Sequence, residues 1–461
     1  MGVVMEGTRE IPVFGEYDVA VAGAGLAGCC AAISAGRRGA RTVLIERGGM
    51  LGGVSTASMM NSVTNFFFTS EDVQVIKTLP AEIVEQTVKG TSLEKAWKTH
   101  KVNQIPNNPE MVQNMLFAML KDAGVEILLH SFVCGVVKAG DRIDAVLIEN
   151  KAGRQAVRAK QFVDCSGDAD LAFFAGDETI THPNDYSTLM FEMSGVDTDA
   201  LMKYFEDHPE DYDDKRDIPI SFEEFRRNYY EKGQFHIPHS GGKKISIFQR
   251  AIADGSFEKD RGLGRDLDAL GLFGLRGTGR LLVNSNFFDI KPLSDILQTS
   301  RAELEGREDA AYVADFLIRN MPGFAKARVS RSSSDLGNRL ARQINGKYML
   351  TVAEYFANKP FADAIAYTPV YIRNPEDRGM VATPGIFGIP YRILLPKKTE
   401  NLIMGSGKSV SGERLLLRYC MRGQANTMLY GEIAGICAAT AAKTGTALAD
   451  IDPVNIRKHF E

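Results

Sequence analysis

Apolar residues cluster early in the chain in two short runs. Tyr17–Ala22 (YDVAVA) places small and β-branched residues side by side, as a strand buried in a parallel sheet does. Arg41–Ile45 (RTVLI) is a second such run, and CCAAISAGRRGA between them forms a helix with small residues toward the sheet. The start of the chain therefore predicts strand, helix, strand. Val125–Val133 (VEILLHSFV) predicts a further apolar strand following a helix over residues 110–123. The segment from Arg422 to Lys443, rich in Ala and Gly, predicts a helix with Asn426 as N-cap. Leu201–Gly233 is dense in acids, aromatics and arginines: EDHPEDYDDKRD predicts a solvated loop and FEEFRRNYYEKG a surface helix.

The turn between the first strand and its helix is Gly23-Ala24-Gly25-Leu26-Ala27-Gly28. Gly23 permits a tight turn, Gly25 lets backbone N–H groups approach a pyrophosphate, and Gly28 lets helix and strand pack closely. The unpaired N–H groups of that helix start, at Leu26 and Ala27, and its dipole favour the negative charge of a diphosphate. The second strand ends at Glu46, where a carboxylate accepts hydrogen bonds from ribose hydroxyls and repels a 2′-phosphate. NADP is thereby disfavoured. Arg47 then leads through Gly48-Gly49-Met50-Leu51 to Gly52-Gly53, a second glycine pair that lets backbone pass the diphosphate.

Strand, three glycines, helix, strand, acid and ER-xxx-LGG in that order resemble the FAD-dependent oxidoreductases of the glutathione-reductase-like, two-dinucleotide-binding superfamily. The resemblance implies an α/β fold: a Rossmann-like FAD-binding domain of glutathione-reductase type with an inserted α+β substrate or cap domain. The expected limits are 1–180 and 381–461 for the two parts of the FAD domain and 181–380 for the insertion. It also implies that Val133 sets a backbone group against the adenine. Asp164-Cys165-Ser166-Gly167-Asp168-Ala169-Asp170-Leu171-Ala172 looks like the family's glycine turn beside the cofactor, with Ser166, Gly167 and Asp168 in contact. Phe387-Gly388-Ile389-Pro390-Tyr391-Arg392, and Asn401–Lys408 with Gly405 and Gly407, resemble the segments that close the FAD domain. The helix after them is then expected to point its start at the flavin pyrimidine, stabilising negative charge on reduced flavin.

Composition narrows the function. With 44% hydrophobic and 24% charged residues and a net charge of −4, the chain reads as a globular protein with no call for nucleic acid or an anionic membrane. No apolar run reaches transmembrane length. The first residues lack the pattern of a signal peptide, and Glu6 weakens a myristoylation reading of Met1-Gly2. Six scattered cysteines without a CxxC suggest free thiols in a reducing cytoplasm and no metal site. Without a Cys-xxxx-Cys after the first helix, disulfide-reductase chemistry is excluded.

Candidates for catalysis are fewer. Arg339 and Arg342 would share one face of a helix, where two guanidiniums suit a carboxylate, the flavin's own negative charge or a structural ion pair with acids of the same domain. Many relatives carry a histidine after the closing strand; here the stretch reads Val410-Ser411-Gly412-Glu413-Arg414, so Glu413 or Arg414 takes that space. Tyr391 and Arg392 face the substrate in this reading. Asn61, Asn65 and Phe66-Phe67-Phe68 follow the LGG glycines, as an aromatic wall over the flavin or as core. The expectation is an FAD-dependent dehydrogenase or reductase that transfers a hydride to or from a small, anionic substrate. One dinucleotide fingerprint implies an external electron donor or acceptor. A flavin monooxygenase is the alternative, and a flavin-dependent RNA-modifying protein, disfavoured by the acidic balance, is the third class.

Overall fold

The computed structural model describes residues 7–182, 187–215, 220–285, 287–288, 290, 295–373 and 380–461. Met1–Glu6, Arg216 and Asp217 lie outside the described residues. Its first unit is β1 (Val13–Ala22), α1 (Leu26–Arg37) and β2 (Thr42–Ile45). β1 pairs in parallel with β2 on one side and with the strand Gly153–Asp164 on the other. The sheet continues to Glu126–Leu128 beyond β2, and to Arg142–Asn150 and Phe132–Ala139 beyond Gly153–Asp164. Leu402–Met404 joins Gly153–Asp164 in parallel, although the two are far apart in sequence.

Register sets where a ligand can bind. Ala22 pairs with both Ile45 and Asp164, and Met404 pairs with Asp164. Four parallel strands thus end in one row, the carboxyl edge at which open α/β sheets take ligands. Burial explains the apolar runs: Val19, Val21, Val43, Leu44, Val163 and Ile403 are fully buried. α1 and the C-terminal helix Gln424–Thr444 both pack on this sheet and against each other, and small residues on both permit the close approach.

A second hydrophobic core runs from Leu189 to Leu336. It lies under a five-stranded antiparallel sheet in the order Gln234–Ile237, Gly271–Leu275, Arg280–Asn284, Phe191–Ser194, Arg328–Ser332. Helices Thr198–Asp207, Phe222–Lys232 and Ile296–Asn320 accompany it. Leu340, Ile344, Tyr355 and the hairpin Ala364–Arg373/Met380–Pro390 return their side chains to the first core.

Several local expectations are corrected. The predicted strand Val125–Val133 is broken: His130 adopts a positive φ of 52°, and the N–H groups of His130 and Ser131 donate to Gly48 and Glu46 carbonyls. Asn426 is not an N-cap, because the helix already begins at Gln424 behind Gly423. Its side chain instead accepts from the Thr368 hydroxyl and donates to the Cys420 carbonyl. Arg339 and Arg342 are not helical; Arg342–Ile344 is a strand paired with Thr179–Thr181. The acidic stretch is not all solvated, since Asp211 and Tyr212 are buried. Asp211 accepts from the Ser246 N–H and hydroxyl, and Tyr212 stacks on Phe225 with centroids 4.8 Å apart.

Candidate functional site

A cavity of about 700 Å³ opens along the carboxyl edge of the parallel sheet. The first glycine turn forms its floor, and each glycine answers a different contact. Gly23 has φ +92°, and a Cβ there would lie 2.5 Å from the Cys165 carbonyl oxygen. At Gly28 a Cβ would fall 1.7 Å from the Gly23 carbonyl oxygen, so helix and turn touch only without one. Gly25 is different: its backbone is extended, φ −63° and ψ 177°, and a Cβ there would meet nothing within 4 Å. It borders the cavity, so a side chain would occupy ligand space rather than clash with protein. α1 starts at this point without a side-chain cap, leaving its first N–H groups open.

Gly52 and Gly53 meet this turn. The Gly52 N–H donates to the Ala24 carbonyl at 2.8 Å, and a Cβ at Gly53 would stand 2.9 Å from the Gly25 Cα. Glu46 fastens both loops: its Oε2 accepts from the Ala24 N–H and its Oε1 from the Gly48 N–H, each at 2.8 Å. A carboxylate has further lone pairs, so ribose hydroxyls can still be accepted. Glycine cradle, uncapped helix start and strand-end carboxylate together fit the adenosine diphosphate half of FAD. We expect Glu46→Ala to weaken FAD binding by roughly 1.5–3 kcal/mol, as for a hydrogen bond to a charged group. Titration of apoprotein with FAD, followed by fluorescence quenching, checks this.

The middle of the cavity is built by the Asp164–Ala172 turn. Buried Asp164 accepts from the Ser166 hydroxyl at 2.6 Å and the Leu171 N–H at 2.9 Å. Burial, with Asp170 adding to it, pushes the Asp164 carboxyl up to about 6. Ser166, Gly167 and Asp168 border the cavity. Lys408 crosses over Gly167 to donate to Asp168 at 2.9 Å.

At the other end the C-terminal helix begins at Gly423, again without a side-chain cap, and Gly423, Gln424 and Thr427 border the cavity. Arg418 and Arg422 stand beside it, the Arg422 Nε donating to the Arg418 carbonyl at 2.6 Å. Across from the parallel sheet, Met190, Phe273, Asn284 and His239 come from the antiparallel unit, with Arg339 next to His239. Asn284 Oδ1 and Gln424 Oε1 are buried and have no protein donor among the described residues. Both border a space where a ligand can supply one.

Gly23, Gly25, Leu26, Ala27, Glu46, Arg47, Gly52, Gly53, Ser166, Gly167 and Asp168 are thus brought together around one cavity. Gly28, Gly405 and Gly407 stand behind its wall. A Cβ at Gly405 would lie 2.5 Å from the Cys165 sulfur, and one at Gly407 2.0 Å from the Met421 carbonyl oxygen. Val133 pairs with Ile148 and does not border the cavity. Phe66 borders the cavity, whereas Phe67 and Phe68 pack on Trp97 and the Asn65 amide donates to the Trp97, Thr99 and Val102 carbonyls.

Of the catalytic candidates, Arg342, Tyr391, Arg392, Glu413 and Arg414 do not border the cavity, whereas Arg339 does. Arg342 donates to Asp170 and covers the Phe173 ring at 4.2 Å. Arg392 donates from Nε to Asp363 at 2.8 Å and covers Tyr348 at 4.6 Å. The buried Tyr391 hydroxyl donates to the Leu448 carbonyl at 2.7 Å. Arg414 is exposed, and Glu413 beside it accepts from the Val352 N–H. The cations that do reach the cavity include Arg339, Lys408, Arg418 and Arg422. A local signal existed for two of them: Arg418 and Arg422 are four residues apart, just ahead of the glycine that opens a helix. His239 carried none, because the antiparallel sheet delivers it from across the cavity.

Among the described residues no cluster of three or more His, Cys, Asp or Glu could hold a metal, and no helix is long and apolar enough to cross a membrane. No curated protein matches the chain. Similar solved structures include a geranylgeranyl bacteriochlorophyll reductase-like protein from Thermoplasma acidophilum, at 16% identity and TM-score 0.48 over 94% of this chain and 80% of that one. Another is p-nitrophenol 4-monooxygenase PnpA from Pseudomonas putida DLL-E4, at 14% identity and TM-score 0.44 over 97% and 85%. The myxobacterial chondrochloren halogenase CndH has 11% identity and TM-score 0.45 over 97% and 78%. A family model described as FAD dependent oxidoreductase matches residues 18–460, nearly the whole chain. The chain belongs to the FAD dependent oxidoreductase family.

Proposed function

We propose that this enzyme transfers a hydride between FAD and a small anionic organic substrate, exchanging the electrons with an external donor or acceptor. The observation that carries this reading is a continuous cavity running from the diphosphate cradle to a wall bearing Arg339, Arg418 and Arg422. Bound FAD supplies the two-electron chemistry. The chain's own groups do the rest. Open N–H groups at the start of α1 hold the diphosphate, and Glu46 holds the ribose. The uncapped start of the C-terminal helix favours negative charge at the opposite end. Guanidiniums there orient an anion, and Met190 and Phe273 exclude water. The parallel sheet serves as a glutathione-reductase-type FAD unit and the second core, Leu189 to Leu336, as the substrate-covering cap; residues from Leu340 onward, expected in an insertion over 181–380, pack with the FAD unit instead. Free thiols at all six cysteines suit a reducing, cytoplasmic setting.

The test is anaerobic turnover of a panel of small organic acids with dichlorophenolindophenol as acceptor. The expected result is dye reduction without oxygen. Strict dependence on oxygen, with ¹⁸O entering the product, would move the assignment to a monooxygenase.

A further inference from the structure

The sequence offers no histidine at the place where many relatives carry one, yet the fold brings one to the cavity from another element. His239 follows the strand Gln234–Ile237 of the antiparallel sheet, and Arg339 reaches it from the segment that returns toward the first core. Both border the cavity that ends at Gly423 and Gln424. Arg339 Nη2 stands 3.2 Å from His239 Nε2. A guanidinium has donors only, so this contact makes Nε2 the lone-pair nitrogen and leaves the proton on Nδ1. The Ser240 hydroxyl is placed to accept that Nδ1 proton, at 3.3 Å. The Phe287 ring backs both groups, its centroid 4.8 Å from the imidazole and 5.6 Å from the guanidinium. The result is a neutral imidazole with its basic nitrogen turned to a cation in a ligand cavity.

We infer that Arg339 and His239 form the recognition and proton-transfer site for a 2-hydroxy acid, Arg339 taking the carboxylate and His239 Nε2 the hydroxyl proton. The inference rests on the hydride-transfer reading above. A carboxylate that pairs with the guanidinium draws an N–H away from Nε2 and frees its lone pair, so substrate binding itself exposes the base. The two recognition atoms lie about as far apart as a carboxylate oxygen and the hydroxyl on the neighbouring carbon. In the oxidation the C–H bond breaks and its electron pair leaves with the hydrogen as hydride to FAD. The O–H bond breaks, its proton passes to His239 Nε2, and the C=O bond of a 2-oxo acid forms. The two electrons lost by the substrate would go to FAD when it is bound, and the His239 imidazolium would return its proton to water. An arginine fork matches a carboxylate bidentately, which lysine cannot do.

The experiment uses the FAD-loaded full chain. Malonate, an unreactive carboxylate probe, is titrated while the visible flavin spectrum is followed. Anaerobic flavin reduction is then timed with glycolate, both lactates and malate. The wild type should bind malonate saturably and be reduced by at least one of the hydroxy acids. Arg339→Gln should weaken malonate by about 30-fold, as for loss of hydrogen bonds to a charged group. Arg339→Lys should recover only part of it. His239→Gln and His239→Asn should bind malonate within about threefold of wild type yet slow reduction by about 10²-fold or more, the usual scale for a general base. Unchanged malonate affinity in Arg339→Gln, unchanged reduction in both His239 variants, or a wild-type flavin that no hydroxy acid reduces would each overturn the site. Loss of FAD from the wild type would strike the underlying reading instead, and FAD content is measured on every preparation.

Discussion

Gly25→Val is expected to yield a folded chain that no longer retains FAD. The reason lies in what surrounds this residue. Its backbone is in an extended conformation open to any amino acid, and a Cβ there would meet no protein atom within 4 Å. Valine therefore costs the fold little. Its methyl groups would fill the space in front of the open N–H groups of α1, where a diphosphate would sit. We expect affinity to fall at least about 100-fold, or about 2.7 kcal/mol, with the thermal transition of the apoprotein unchanged. Gly28→Ala makes the contrast, since its Cβ would lie 1.7 Å from a backbone oxygen and the fold itself would suffer. Flavin absorbance per chain, set beside circular-dichroism melting of the apoproteins, separates the two. Full FAD occupancy in Gly25→Val would show that the diphosphate does not lie on this turn.

The largest expected loss of stability lies where α1 crosses the C-terminal helix. A Cβ at Gly431 would come within 2.1 Å of the Ala27 carbonyl oxygen, and one at Gly435 within 2.1 Å of the Ala31 carbonyl oxygen. Both obstacles are backbone atoms, and both helices are also packed on the sheet, so neither can yield cheaply. The spacing of four on each helix repeats the contact one turn on. Overpacking of a tight core costs about 1–3 kcal/mol, so Gly431→Ala and Gly435→Ala should each lower the urea midpoint clearly. The double variant should fail to fold or lose both increments. Displacing α1 also moves Leu26 and Ala27, so FAD content should fall with stability. An unchanged midpoint in the double variant would mean that the helices do not pack this closely.

The glycine turn and its strand-end acid are legible in the sequence because their determinants are local. Gly23, Gly25, Gly28 and Glu46 fall within one strand–helix–strand unit, where spacing alone fixes geometry. The turn at Ser166–Asp168 is legible only as a likeness to a family motif, as is the segment that ends at its neighbour Lys408. Catalysis was not legible in the same way. Arg342, Arg392 and Tyr391 lie in family-like segments, yet Asp170, Asp363 and the Leu448 carbonyl engage them away from the cavity. Sequence shows that an arginine is present, not which acid claims it. The spacing of Arg339 and Arg342 predicts one helical face, but the segment is not helical, so only Arg339 borders the cavity. His239 depends on a strand some 200 residues from the first glycine turn, which no local pattern could place. The break at His130 was hidden because apolar residues continue through it, while the turn is set by backbone bonds to the Glu46 loop.

If the glycine cradle and Glu46 hold FAD, the native protein carries it, and the cofactor it releases decides the question. Purified chain is heated, the precipitate removed, and the released cofactor run on reversed-phase chromatography against standards. FAD is expected, released without proteolysis and approaching one per chain. FMN or a nicotinamide nucleotide in its place, or a purified chain that neither carries FAD nor takes it up when supplied, would contradict it.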